Sequence, residues 1–528
     1  MSDGGGYAFP SAPSPEELAA LPANDYGNGL RLVRLVGGVV EADGSVDTRA
    51  CELLYLRERG WIAFNGRFWD LRGGEERARR WAHKVAAGLI GQTPIALKSG
   101  VKGWLDFVTR SGNAGASSAM LTQAASYLGA DLGDFDKDPM ALNVANGVLR
   151  FRRDRATKAP KVVFEPRHDP ADRMTRICSV AYDAKAERPL FDAHLLFCQP
   201  AEDTRHYLHN AFGYASTGVT KEQMFLILQG LGGDGKSTWV NAVREVLGTY
   251  AVTAAIETFL DTGVKKAAEA SPDIARLAGD TRLISTAEPP RGSKLASSAI
   301  KSFTGGAPLT ARELRQGIFE FMPIGKVILE CNNRPAINDS DDGIWRRTRI
   351  VLFEHQVPKD RIDLDLPDKL RGEYSGVLNW LVEGVLSWMS EGLPSPPSVR
   401  EALEDYRRGS NDFVEWLNDC VVMDKESKLP SAELFRSYKD WCEREGVERP
   451  MSRTMFGRAL GDRQIILAGK NGAGNIQRRG ARLRPAYERG DSSASTAPAT
   501  TLTLFSPGGS LSGGAPADPF DDEGWVEP

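Results

Sequence analysis

The residues Gly230-Leu231-Gly232-Gly233-Asp234-Gly235-Lys236-Ser237-Thr238 spell G-x-x-x-x-G-K-[ST] in full. The motif follows an apolar run, Met224–Leu228, that reads as a buried strand, and it leads into a helical pattern from Ser237 to Leu247. Glycines at this spacing let successive backbone N–H groups turn inward around a β-phosphate, at a helix N-terminus whose dipole favours an anion. Lys236 would reach the β/γ-phosphates as a point charge, and the Ser237 hydroxyl would ligate Mg²⁺. The expected nucleotide contacts are therefore Gly230, Gly232, Gly233, Asp234, Gly235, Lys236, Ser237 and Thr238, with ATP and Mg²⁺ as the groups held. A Gly-rich turn matching by chance is the weaker reading, because strand, loop, lysine, hydroxyl and helix all stand in register.

Phosphate-bond hydrolysis also needs a carboxylate near the metal and the water, a polar group that orients the water, and an arginine for transition-state charge. The run Thr281–Glu288 reads as a strand with an acid at its C-terminal end, where open α/β sheets bind ligands. Glu288 is accordingly a candidate both for the metal side and for the attacking water. The next strand, Val327–Arg334, ends in Asn332-Asn333, and Asn332 could hold the water against the γ-phosphate. Arg346 and Arg347, in Asp341-Asp342-Gly343-Ile344-Trp345-Arg346-Arg347, could act across a subunit boundary or be ordinary surface charge.

Other elements must position these groups. The 528 residues suggest several domains, with no apolar run long enough to span a membrane and no signal-peptide pattern. Six scattered cysteines without C-x-x-C point to a reducing compartment such as a cytoplasm. Net charge is −4, so nucleic-acid contact requires a local basic surface. Residues 1–29, rich in Gly, Ser and Pro, read as a disordered leader, and 30–200 as an α+β domain that includes a hairpin at Trp61–Trp69 around Asn65-Gly66. Residues 201–390 alternate strand and helix as a P-loop α/β core, and Pro394-Ser395-Pro396-Pro397 marks a linker. Residues 400–487 read as three helices and a basic ribbon that would suit a winged helix. From Met451 to Arg484 there are eight Lys/Arg against the single acid Asp462. Of these, Arg478, Arg479 and Arg482 are candidate DNA contacts. Residues 488–528 are low in complexity and read as a disordered acidic tail.

Together the P-loop, Ala275–Pro289, Lys301–Arg312 and Asn332 to Arg347 resemble a superfamily 3 helicase of the phage and plasmid P4-family primase–helicase and poxvirus D5-like type. In that resemblance Glu288 falls in the Walker B region, Asn332 at the sensor position, and Gly343–Arg347 in the arginine-finger segment. The stretch Asn143–Leu149 with Phe191–Thr220 looks like the D5 N-terminal domain, and 410–487 more loosely like the family's winged-helix region. Lys301-Ser302-Phe303-Thr304-Gly305-Gly306-Ala307 is similar to the B′ motif, although relatives often carry an acid where this chain has Ala307.

Pro308–Phe321 reads as a β-hairpin with Arg312, Arg315 and Gln316 toward its tip, which with Lys301 would track a single DNA strand in a ring. The resemblance implies an AAA+-like ATPase and a homohexameric DNA helicase moving 3′→5′, in the host cytoplasm if phage-encoded. Two other readings stay open: a primase–helicase, and an ATP-switched origin initiator. The acid pairs Asp134/Asp136 and Asp363/Asp365 could hold metals for priming, but neither has a partnering Ser-x-His. The tail sets Phe520 and Trp525 among Asp518, Asp521, Asp522 and Glu523, a pattern that could dock on replication proteins or fold back on the basic surface.

Overall fold

A computed structural model describes residues 12–484, apart from 58, 262–271, 291–292, 313–317, 338–341, 446, 448–449, 463–464 and 471–475. The acidic tail, Arg315 and Gln316 lie outside the described residues.

The expected leader is in part a helical element. Ser14 and Glu17 form a capping box on the helix Pro15–Ala19, whose Leu18 and Ala19 are buried. A second helix, Asp25–Leu35, follows from the cap Asn24. Its Arg31 is fully buried, giving hydrogen bonds to Gln92 and to the carbonyls of Leu21 and Pro22. Composition hid this because the glycines at 27 and 29 sit inside the helix, where the chain passes tightly against Pro22 and Gln123.

The Asn-Gly hairpin forms as expected. Gly60–Phe64 pairs antiparallel with Leu53–Leu56 on one side and Trp69–Asp70 on the other. One long helix, Gly74–Lys98, covers this sheet through Ala78, Ala82 and Val85, a spacing that keeps one face inward. A second sheet is antiparallel throughout and joins Ala141–Val144, Gly147–Arg153 and Pro160–Glu165.

The boundary expected at residue 200 does not divide the packing. Leu142, Leu149 and Phe151 of this second sheet share one core with Phe191 and Leu195 of α1 (Pro189–Cys198) and Phe212 of α2 (Glu202–Ala215). That core continues to Trp239 of α3 (Lys236–Leu247) and Trp380 of α4 (Tyr374–Glu391). α2 and α4 cross where a side chain on Gly213 would sit 2.1 Å from the Gly384 carbonyl carbon, so two glycines set their separation.

At the centre is a five-stranded, wholly parallel sheet. Its strands are β1 (Phe225–Gly230), β2 (Ala251–Ala254), β3 (Leu283–Thr286), β4 (Lys326–Cys331) and β5 (Thr348–Phe353), in the order β2-β3-β4-β1-β5. β1 and β4 are near-continuous apolar runs, as burial on both faces requires. The hairpin reading of 308–321 holds: Leu309–Arg312 pairs with Ile318–Phe321. Behind the sheet, Arg282 is buried in a two-pronged ion pair with Asp280 and lies 4.5 Å from the Tyr250 ring. Asp136 is half-buried nearby, accepting from the Thr175 N–H and hydroxyl.

The Pro-rich stretch at 394–397 is not a domain boundary. Pro397 opens α5 (Pro397–Cys420), since proline is well suited to a first helical turn. The first half of α5 packs Ala402 and Tyr406 on the central domain, and the second half gives Phe413 and Trp416 to the C-terminal core. That module adds the strand Val421–Pro430, helices Ser431–Arg444 and Arg453–Asp462, and strands Ile466–Lys470 and Ile476–Leu483. No described helix is long and apolar enough to cross a membrane.

Candidate functional site

β1, β3 and β4 run parallel, so Gly230, Glu288 and Asn332 all emerge at their C-terminal edge. There a cleft of about 480 Å³ is lined by Gly232–Thr238, Asn241, Arg244, Thr253, Ser285–Glu288 and Glu330–Asn332. The loop before α3 bends through positive φ at Gly232, Gly233 and Gly235. Neighbouring segments hold it in place. The Val357 N–H donates to Gly233 O at 2.7 Å, and the Gln356 side-chain amide donates to Gly232 O. From the other side, α1 brings His194 Nε2 to 3.0 Å from Gly235 O. Burial lowers the pKa of this ring, which favours the neutral imidazole.

Lys236 is buried, and its ammonium needs a counter-charge. Asp234 supplies one at 3.0 Å, and Asn332 Oδ1 accepts from the same ammonium at 3.1 Å. The other end of the Asn332 amide donates to Glu288 Oε2 at 2.9 Å, while the Asn332 backbone N–H donates to Glu288 Oε1 at 3.0 Å. Three residues read from separate segments thus form one chain, Lys236–Asn332–Glu288. The Ser237 hydroxyl points elsewhere: it donates to Glu330 Oε2 at 2.7 Å. Burial pushes the Glu330 carboxyl above its ordinary value, and the Ser237 bond opposes that shift.

The two arginines separate. Arg346 is exposed, whereas Arg347 is buried and donates to Gly343 O at 2.7 Å, so its guanidinium serves the fold. Lys301 is half-buried on the helix Ser297–Thr304, and Arg312 is exposed at the end of its strand. In the C-terminal module Arg478 must be withdrawn as a surface contact. It is buried, with hydrogen bonds to Ile465 O and Gly457 O that tie the helix Arg453–Asp462 to the sheet. Arg479 and Arg482 remain partly exposed but face Glu426 and Asp424, acids that the antiparallel strand Val421–Pro430 lays beside them. The acid pairs weighed for priming have structural tasks. Asp134 accepts from the Asp131 N–H, Asp136 is spent on Thr175, and Asp363 pairs with Lys369.

Sequence reasoning missed Glu330, His194 and Arg334. Arg334 gives a hydrogen bond to Gln229 of β1 and lies 5.4 Å from the Tyr406 ring. Only Glu330 left a signal, as the one charged residue inside the apolar run Val327–Cys331.

The cleft suits a Mg²⁺–nucleotide in its donors. Ser237, Glu330 and Glu288 offer only oxygens, and the buried Thr286 hydroxyl at its wall has no hydrogen-bond partner among the described residues. No group of three or more His, Cys, Asp or Glu that could cage a metal occurs among the described residues.

Family models match the two flanks: "D5 N terminal like" over residues 42–200 and "Poxvirus D5 protein-like" over 408–464. The protein of frog virus 3 named "Putative helicase 022R" is 28% identical over 279 residues, covering 48% of this chain and 28% of its own length. A protein of Acanthamoeba polyphaga mimivirus, also named as a helicase, is 26% identical over 262 residues, covering 46% and 27%. One of African swine fever virus, named "Putative primase", is 28% identical over 332 residues, covering 58% and 33%. The chain therefore spans about a third or less of the length of these relatives. The solved apo C-terminal region of NrS-1 aligns over 63% of this chain and 96% of its own at 11% identity, with a TM-score of 0.35. The chain is thus similar to D5-like proteins over both flanks, and over about half of its length to viral proteins named as helicases and primases.

Proposed function

We propose that the chain hydrolyses ATP to drive a DNA helicase of the kind found in phage replication, working as a ring, with 3′→5′ movement along one strand. The observation that carries this reading is the Lys236–Asn332–Glu288 chain at the mouth of a glycine loop. A phosphate entering the loop would meet its inward N–H groups and draw Lys236 away from Asp234, which exchanges one anionic partner for another. Glu288, which accepts from both nitrogens of Asn332, would take the proton of an attacking water. Mg²⁺ held on the Ser237 side would offset the charge of the phosphate oxygens. Exposed Arg346 would complete the site of a neighbouring subunit, which makes hydrolysis depend on assembly.

For DNA, Arg312 sits on the hairpin strand Leu309–Arg312, Lys301 on the helix Ser297–Thr304 that precedes it in the chain, and Arg479 and Arg482 on the C-terminal module. The helix–strand–helix–helix–strand–strand order of that module supports a winged-helix reading. The cytoplasm is the working compartment in this reading. The test is ATP hydrolysis by the full chain with and without single-stranded DNA. Lys236→Ala should abolish turnover. Glu288→Gln should keep nucleotide bound and slow hydrolysis by roughly 10²-fold or more. Near-normal turnover by Glu288→Gln would remove that residue from the chemistry.

A further inference from the structure

We infer that Glu330 is a positioning residue for the metal side of this site, acting through Ser237 and leaving Glu288 to the water. The inference rests on the nucleotide reading above. Glu330 and Asn332 are two residues apart at the end of β4, so both side chains leave the same face of the sheet, and Cys331 between them leaves the other. The two reach different partners. Asn332 bridges Lys236 and Glu288, whereas Glu330 accepts the Ser237 hydroxyl proton at 2.7 Å. Both oxygens of Glu288 are already engaged by Asn332, at 3.0 and 2.9 Å. The two carboxylates therefore serve opposite ends of the cleft.

The end of β3 explains why an acid on β4 is needed. β3 finishes in Ser285 and Thr286, both hydroxyls, and brings no carboxylate to the level of Ser237. Thr286 Oγ1 is buried at the cleft wall without a hydrogen-bond partner among the described residues. Arg244, further along α3, is anchored on Thr253 and Asn241 and stands on the same wall. A carboxylate that accepts a hydrogen bond from the Ser237 hydroxyl would fix that hydroxyl with its lone pairs free for a cation. It also adds a negative charge beside them, the orientation a hard cation requires. Partners that orient a ligand in this way typically set metal affinity by about 10–100-fold.

The test is equilibrium binding of a fluorescent, non-hydrolysable ATP analogue to the full chain, titrated with Mg²⁺ and repeated in EDTA. Wild type should bind more tightly with Mg²⁺. Glu330→Gln should bind like wild type in EDTA but lose about tenfold or more of the Mg²⁺-dependent tightening. Glu330→Asp should recover part of it. Because Glu330 acts through Ser237, adding Glu330→Gln to Ser237→Ala should cost little more than Ser237→Ala alone, which a merely structural role would not predict. An unchanged Mg²⁺ response in both Glu330 variants would overturn the inference while leaving the nucleotide site standing. A wild-type chain that binds no analogue under either condition would overturn both.

Discussion

Replacing Gly235 by alanine should damage the phosphate loop far more than the same change two residues earlier. Gly235 has φ +77°, a left-handed conformation that costs an L-residue about 1–2 kcal/mol. Its added Cβ would also lie 2.6 Å from Cys198 Sγ and 2.7 Å from His194 Cε1, both on α1. Overpacking of that kind costs about 1–3 kcal/mol, for a total of about 2–5 kcal/mol. Gly233 has φ +66°, but a Cβ added there would meet nothing within 4 Å, so only the backbone cost applies. If the loop escapes the strain by leaving its geometry, nucleotide binding absorbs the cost, a loss of roughly 30- to several-thousand-fold. Titration of an ATP analogue against both variants gives the comparison. Cys198→Ala in the Gly235→Ala background should recover part of the loss by removing one of the two clashes. Equal binding by Gly235→Ala and Gly233→Ala would refute the claim that α1 braces the loop.

Arg347→Ala should lower the Tm, since it removes a buried donor from Gly343 O, at a cost of about 1–3 kcal/mol. Arg346→Ala should leave the Tm unchanged and depress hydrolysis. Mixed with wild type, it should depress hydrolysis by more than its mole fraction. Burial and the nearby Asp280 push the Asp136 carboxyl up to about 7, with the Thr175 hydrogen bonds and then Arg282 opposing. Between its unfolded value of about 3.9 and that folded value, only the folded chain keeps the proton, so stability falls as pH rises through this window. Asp136→Asn, which carries no such cost, should gain on wild type by roughly 2–3 kcal/mol between pH 5 and 8. Parallel unfolding curves across that range would count against it. Arg478→Ala should destabilise the C-terminal module, while neutralising Arg479 and Arg482 should leave it folded. Each lost phosphate contact should flatten the salt dependence of single-strand binding by about 0.7 in log–log slope.

The glycine loop was legible because it is contiguous, and each of its residue types answers to one physical need. Glu288 and Asn332 were legible because a parallel sheet delivers the ends of its strands to one edge, so two strand ends read separately had to meet. What the chain hides is which neighbour a side chain finds. Arg346 and Arg347 are adjacent and alike in type, and only the helical turn Asp342–Trp345 puts one of them under its own carbonyls. The basic stretch 451–484 looked unopposed because its balancing acids, Asp424 and Glu426, belong to a strand some fifty residues earlier. Glu330 was passed over as a mid-strand residue, since its value depends on α3 turning Ser237 toward β4. The leader misled through composition: its glycines at 27 and 29 mark close packing, not freedom.

The most direct measurement is unwinding of a forked DNA duplex by the full chain with ATP and Mg²⁺, run beside primer synthesis on a single-stranded template. Strand separation should require ATP and a 3′ single-stranded arm, disappear in Lys236→Ala, and proceed without primer synthesis. ATP hydrolysis and DNA binding with no strand separation would contradict the helicase reading and favour an ATP-switched initiator instead.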